Sequence, residues 1–236
     1  MIWIDRLSLF SALDFAALAL LVLGWAGIGW RIENPSPGNP SVAEIMGGFR
    51  REWMRQMITR QPRIFDSSLI GNLRQSTAFF ASATMIALGG GMALVRNPEP
   101  VTALASDLAL SAQPTVIWEM KMLVTLLFLT SAFLKFVWAN RLFGYCSVVM
   151  GAVPNDPKDP LALARADQAA EINITAARSF NRGLRTIYFG LASAVWLLGP
   201  EALIAAVLLT LAMIHRREFS SASRAVLLKG PTDTRT

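Results

Sequence analysis

The chain has 236 residues, 53% hydrophobic and only 16% charged, with a mean hydropathy of +0.43. Soluble domains carry about 25% charge, so this composition excludes an ordinary water-exposed surface and points to a bilayer. One cysteine, Cys146, and one histidine, His215, exclude a disulfide framework, a multi-thiolate metal site and a bis-His haem within one subunit.

A hydrocarbon core of about 30 Å takes about 20 mostly apolar helical residues. The first such run, 7–30, is interrupted only by Asp14. It is too long for a signal peptide and no small-residue cleavage site follows, so it reads as a retained span. Residues 41–60 then place Val42, Ile45, Met46, Phe49, Trp53 and Met57 at helical spacing, flanked by Arg50, Arg51 and Arg55. Ser41 with Glu44 three residues on has the form of a capping box. The expectation is a cytoplasmic helix in the headgroup layer, drawn by anionic lipid, with a partner-binding surface as the other reading.

The second span is 77–95. Its run Gly89, Gly90 and Gly91 allows another backbone to come close. The third is 116–138, with Lys121 and Lys135 near its ends. A further cytoplasmic helix is expected over 160–180. The helical pattern runs on to 186, and along it Arg178, Arg182 and Arg185 recur on one face, suited either to a phosphate or lipid headgroup or to pairing with Asp167 and Glu171. The stretch 184–215 would measure about 48 Å as one helix, and Gly199-Pro200-Glu201 interrupts it. Proline disfavours helix in the residue before it, and a glutamate prefers water to lipid. Two spans, 180–198 and 201–216, joined by a tight turn are therefore expected, with Gly190 adding a small-residue packing position. The fold class is all-α, a single polytopic membrane domain of about five transmembrane helices plus the two amphipathic cytoplasmic ones.

Basic residues segregate along the chain. Segment 31–70 holds Arg31, Arg50, Arg51, Arg55, Arg60 and Arg63; segment 139–183 and the tail 216–236 are also basic, whereas 96–115 has only Arg96 and 199–201 has none. Basic loops remain on the cytoplasmic side, which puts the N-terminus outside and the C-terminus inside an inner membrane. The net charge of +6 is thereby accounted for without nucleic acid. That topology gathers Asp14, Glu119, Lys121 and Glu201 near the external face, with Asp14 and Lys121 the natural pair. The cluster reads either as a structural ion pair with interfacial neighbours or as a vestibule for an ion or solute.

The strings Arg51-x-Trp53-Met54, Arg63-Ile64-x-Asp66 and Phe79-Phe80-Ala81-Ser82 resemble the first half of a bacterial and plant membrane-protein family designated domain of unknown function 599. The second half is similar through Phe180-Asn181-Arg182-Gly183-Leu184-Arg185-x-x-Tyr188-Phe189, Trp196 and Arg216-Arg217-Glu218-Phe219-x-Ser221. The resemblance covers nearly the whole chain and implies a multi-span inner-membrane protein; it brings no activity or catalytic residue with it.

Three functions are then open. A non-catalytic accessory or assembly subunit, meeting lipids and other membrane subunits or itself, fits the lack of catalytic motifs and the small-residue helix faces. A small oligomeric transporter or channel fits the external polar cluster, though no repeats and no mid-membrane ionisable groups accompany it. A lipid-acting enzyme would use Asp66, Ser67 and Ser68, without a nearby histidine. No cofactor or metal is expected.

Overall fold

The computed structural model describes residues 9–97 and 114–229. Residues 7 and 8 of the first expected span, most of the 96–115 connection and the end of the basic tail lie outside the described residues. Among the described residues the regular structure is helical, with no strand. The elements are α1 (Ala12–Glu33), α2 (Val42–Met57), α3 (Ile64–Arg96), α4 (Thr115–Gly151), α5 (Pro160–Ala194), a 3₁₀ turn (Val195–Leu198), α6 (Pro200–Phe219) and α7 (Ala222–Leu228).

Among the described residues, three helices are long and apolar enough to cross a membrane: α1, α3 and α4. At 33, 37 and 35 residues, α3, α4 and α5 each run about 50–55 Å, well beyond the hydrocarbon thickness. Hydropathy reads only the apolar part of such a helix, so the expected spans 77–95 and 116–138 miss the polar start of α3 and the final turns of α4. A larger correction concerns 160–198. The expected division near residue 180 is absent, and α5 continues unbroken from Pro160 to Ala194. The interruption expected at Gly199-Pro200-Glu201 is present, at Gly199, whose φ of 131° and ψ of 163° belong to a region open essentially to glycine alone. Pro200 follows as the first residue of α6, where a missing N–H leaves no intrahelical bond unmade.

The chain divides into two compact units. The first comprises the described residues to Trp30, Ala83–Phe133 and Leu184–Ile214. Its buried side chains include Leu21, Phe128, Phe189, Leu203 and Val207. Trp25 meets Phe128 edge-on at 5.5 Å and donates its indole N–H to the Thr186 hydroxyl at 3.2 Å. Thr125 and Ser193 hydroxyls pair at 3.0 Å. Of the expected packing glycines, Gly91 and Gly190 are the close ones: a methyl group there would stand 2.6 Å from Leu126 Cδ2 and 3.2 Å from Phe128 Cβ. Gly89 and Gly90 face open space.

The second unit comprises Arg31–Ser82, Leu134–Gly183 and the described residues from His215. Its core is built on a stripe of α5, Ala162, Ala166, Ala169, Ala170, Ala176 and Ala177. With the buried Asn173 between them these recur at helical three- and four-residue steps, and small side chains let neighbouring helices come close. Met54 and Met57 of α2, Ile70 of α3 and Phe143, Cys146 and Met150 of α4 fill against them. The apolar stripe of α2 is therefore partly spent on the protein's own core. Phe80, Phe136 and Phe180 form a ring cluster with centroids 5.5–5.6 Å apart, and Gly183 leaves no room for a Cβ against Phe136, 2.6 Å away.

The N-terminus of α2 is tied down from two directions. Ser41 accepts from the Glu44 N–H at 3.2 Å and donates to the Ile32 carbonyl at 2.8 Å. The Glu218 carboxylate accepts from the Ala43 N–H at 3.2 Å, a negative charge at the positive end of the helix. Ser221 caps α7, and Arg224 holds that helix to the Asn39–Pro40 segment with bonds of 2.7 and 2.9 Å.

Candidate functional site

Within the first unit, the sequence reading puts Asp14 about two turns inside the first helix and pairs it with Lys121. In the structure α1 begins at Ala12, so Asp14 stands in its first turn. There it forms a reciprocal cap with Ser11. Asp14 Oδ2 accepts from the Ser11 N–H at 3.1 Å and the hydroxyl at 2.7 Å, and the Ser11 hydroxyl oxygen accepts from the Asp14 N–H at 3.2 Å. Asp14 Oδ1 accepts from the Trp196 indole N–H at 2.8 Å. The Lys121 ammonium lies 5.5 Å from the centroid of the same indole, a cation–π contact in a buried setting. Acid and base thus meet on Trp196. A cavity of about 80 Å³ beside them, lined by Asp14, Leu18, Met120, Val124 and Trp196, is almost wholly apolar. Glu119 is half-buried and Glu201 exposed, and neither bonds to the pair.

Within the second unit, the basic face of α2 lies along α5. Arg51 bonds Glu171 at 2.6 Å, Arg55 bonds Asp167 at 2.9 Å, and Arg50 donates to the Asn173 side-chain carbonyl. The acids on α5 are therefore taken across to α2 rather than by Arg178, Arg182 and Arg185 of their own helix. Hydrogen bonds to Glu171 and Asp167 push the guanidinium groups of Arg51 and Arg55 above their ordinary values, whereas burial pushes that of Arg50 below it. An arginine remains charged in either case. Arg182 bonds Glu33, Arg178 is exposed and Arg185 is buried. The seven side chains expected as an anionic-lipid or partner surface divide accordingly: Arg50, Arg51, Arg55 and Arg182 have internal partners, and Trp53 donates to the Asp66 carboxylate at 2.7 Å.

Asp66 leads to a cavity of about 510 Å³ in this unit. Arg63, Asp66, Ser67 and Arg74 line it from α3 and the residue preceding it, with Ile70 and Gly71 between them; Ser147, Met150, Gly151 and Asn155 close the other wall. Asp66 is fully buried, and its Oδ1 accepts from both Trp53 and Arg60. Its Oδ2 is shut off from solvent and has no hydrogen-bond partner. Arg63 reaches the turn that follows α4, donating to the Val153 and Pro154 carbonyls at 2.8 and 2.7 Å. Its buried Nε–H has no acceptor. The Arg74 guanidinium makes no hydrogen bond or ion pair among the described residues, although its backbone carbonyl accepts from Asn140 at 2.9 Å.

Sequence reasoning singled out Asp66 and Ser67 only as weak enzyme candidates and passed over Arg74, Ser147 and Asn155. A signal was present: 63, 66, 67, 70, 71 and 74 recur at three- and four-residue steps, a polar and small-residue stripe just ahead of an apolar run. Ser147 and Asn155 carry no such pattern.

No curated protein and no solved structure matches the chain. Its residues 16–223 match the family model described as "Protein of unknown function, DUF599". With nearly the whole chain matched, this chain belongs to that family.

Proposed function

We propose that the protein is a multi-pass inner-membrane protein that serves, without catalysis, as an accessory or assembly subunit of a larger membrane complex. The observation that carries this reading is the bareness of α3. The most apolar part of that helix is only 6% buried, against 22% for α1 and α4. Phe79, Ile86 and Met92 stand exposed on it, beside Gly89 and Gly90, where an added Cβ would meet nothing within 4 Å among the described residues. Small residues on an uncovered apolar helix suit close packing by another helix, since lipid itself gives no hydrophobic drive for association.

Five crossings are proposed, with the N-terminus outside and the C-terminus in the cytoplasm. In support, the first unit draws on five helical stretches, from α1, α3, α4, the end of α5 and α6. The basic segments following α1, α4 and α6 share a side only if α5 and α6 each cross. Transport is the weaker alternative, because both oxygens of Asp14 are committed to protein donors and the adjoining cavity is small and apolar. The test is purification from native membranes in mild detergent, with mass spectrometry of what is retained. Stoichiometric partner subunits, lost in a Gly89→Leu, Gly90→Leu variant of unchanged melting temperature, support the accessory role. A partner-free species that supports solute flux would sink it.

A further inference from the structure

The 510 Å³ cavity of the second unit has unmet needs of both signs. Arg63 Nε–H is buried without an acceptor, and Arg74 presents a guanidinium engaged with no described group. Asp66 Oδ2 is buried without a donor. Buried polar groups are paired in the great majority of cases, and exceptions call for an explanation. Arg60 already balances Asp66 through Oδ1, so the two other arginines leave the cavity electropositive. We propose that it binds a hydroxyl-bearing phosphate ester of the kind a glycerophospholipid headgroup presents.

The phosphoryl oxygens accept from Arg74 and from Arg63 Nε, with the Ser67 and Ser147 hydroxyls within the same wall. Arginine suits this role because its planar fork matches phosphate oxygens in pairs. A hydroxyl on the ligand supplies the donor that Asp66 Oδ2 lacks. Met57, Ile70 and Met150 give the remaining wall an apolar character suited to the first carbons of the ester. The volume lies in the range of about 300–1,000 Å³ usual for small-molecule sites. Depth favours a lipid as the source: Arg74 precedes Thr77, where the apolar run of α3 begins, by only three residues, about 4.5 Å along the helix. This assignment is independent of the accessory role.

The test is the melting temperature of the delipidated full-length protein in detergent, titrated in turn with phosphatidylglycerol, phosphatidylethanolamine, glycerol 3-phosphate and inorganic phosphate. Phosphatidylglycerol is expected to stabilise at lower concentration than phosphatidylethanolamine. Arg74→Gln, at an exposed side chain, is expected to leave the lipid-free melting temperature unchanged and to weaken phosphatidylglycerol about 10- to 100-fold, the loss of one or two charge-assisted bonds. Gly71→Leu gives an independent check, because a Cβ there meets no atom within 4 Å and the side chain obstructs the cavity without removing a charge. Stabilisation by glycerol 3-phosphate at matching concentration would support the same site with a soluble ester as its source. Equal stabilisation by both lipids, or an unchanged phosphatidylglycerol response in both variants, would overturn the proposal.

Discussion

The two units bury polar groups by different means. In the first, a few scattered groups are neutralised locally: Asp14 caps its own helix and takes the Trp196 N–H, Lys121 rests on the indole face, and Thr125 meets Ser193. In the second, charges act over distance along the chain, with α2 laced to α5 by Arg50, Arg51 and Arg55 and the turn after α4 held by Arg63. Burial penalises an unpaired charge heavily, and the buried Asp14 and Lys121 of the first unit each have a partner. A wetter setting tolerates many charges, and each contributes less. The difference implies that polar substitutions in the second unit separate by burial rather than by the number of bonds lost.

The largest effect is expected at Asp66. Asp66→Ala removes the shared acceptor of Trp53 and Arg60 and leaves a guanidinium beside a buried void, at a cost of about 3 kcal/mol. Denaturant or thermal unfolding in detergent measures it. A loss no greater than that of an exposed pair would erase the contrast between buried and exposed charge within this unit.

Gly183→Ala comes next, at about 2 kcal/mol, because the added methyl stands 2.6–2.9 Å from three ring atoms of Phe136, itself fully buried between Phe80 and Phe180. Gly91→Ala sharpens the comparison from the first unit. Its single close neighbour is the end of the Leu126 side chain, which can turn aside, so a smaller loss is expected. Gly89→Ala, in open space, is the reference that reads helix propensity alone, a gain of up to about 1 kcal/mol. Equal gains at all three would mean that helix propensity rather than packing governs these sites.

Trp196→Phe keeps a ring beneath Lys121 but removes the N–H that Asp14 accepts. The expected loss is about 1 kcal/mol, in the range of hydrogen bonds between membrane helices. Its value lies in separating a structural clamp from a transport element. Lost stability with unchanged solute permeability fits the clamp, whereas changed permeability with intact stability points to a path through Asp14.

What could be read in the sequence followed the strength of its periodic signals. The apolar runs of α1, α3 and α4, the Ser41 cap of α2 and the break at Gly199-Pro200 were all legible, because each is local: hydropathy, a capping residue, a proline after a glycine. The unbroken course of α5 was not, since hydropathy changes near residue 180 while the helix does not; its alanine stripe, which the structure buries, was the overlooked sign. Asp14 was misplaced because the apolar run hides the Ser11 cap that starts the helix. The cavity escaped because one side of its wall comes from Ser147, Met150, Gly151 and Asn155, which chain folding alone brings to α3.

The smallest effect is expected where the sequence is most conspicuous, at Arg51 and Arg55. Their side chains and those of Glu171 and Asp167 remain 42–58% exposed, so water and salt screen each pair and two long side chains lose freedom in forming it. Arg51→Gln and Arg55→Gln are expected to leave the melting temperature unchanged within error at 0.15 M salt, the ionic strength at which screening reaches about 8 Å. A double-mutant cycle of Arg51→Gln with Glu171→Gln, repeated at low salt, should show a coupling that appears only there. A coupling that persists at high salt would mean that water is shut out of this pair in the membrane-bound protein, by lipid or by a partner seated on α2. In that event the arginines belong to a covered surface after all, and the division between a wet unit and a dry one would have to be redrawn at α2.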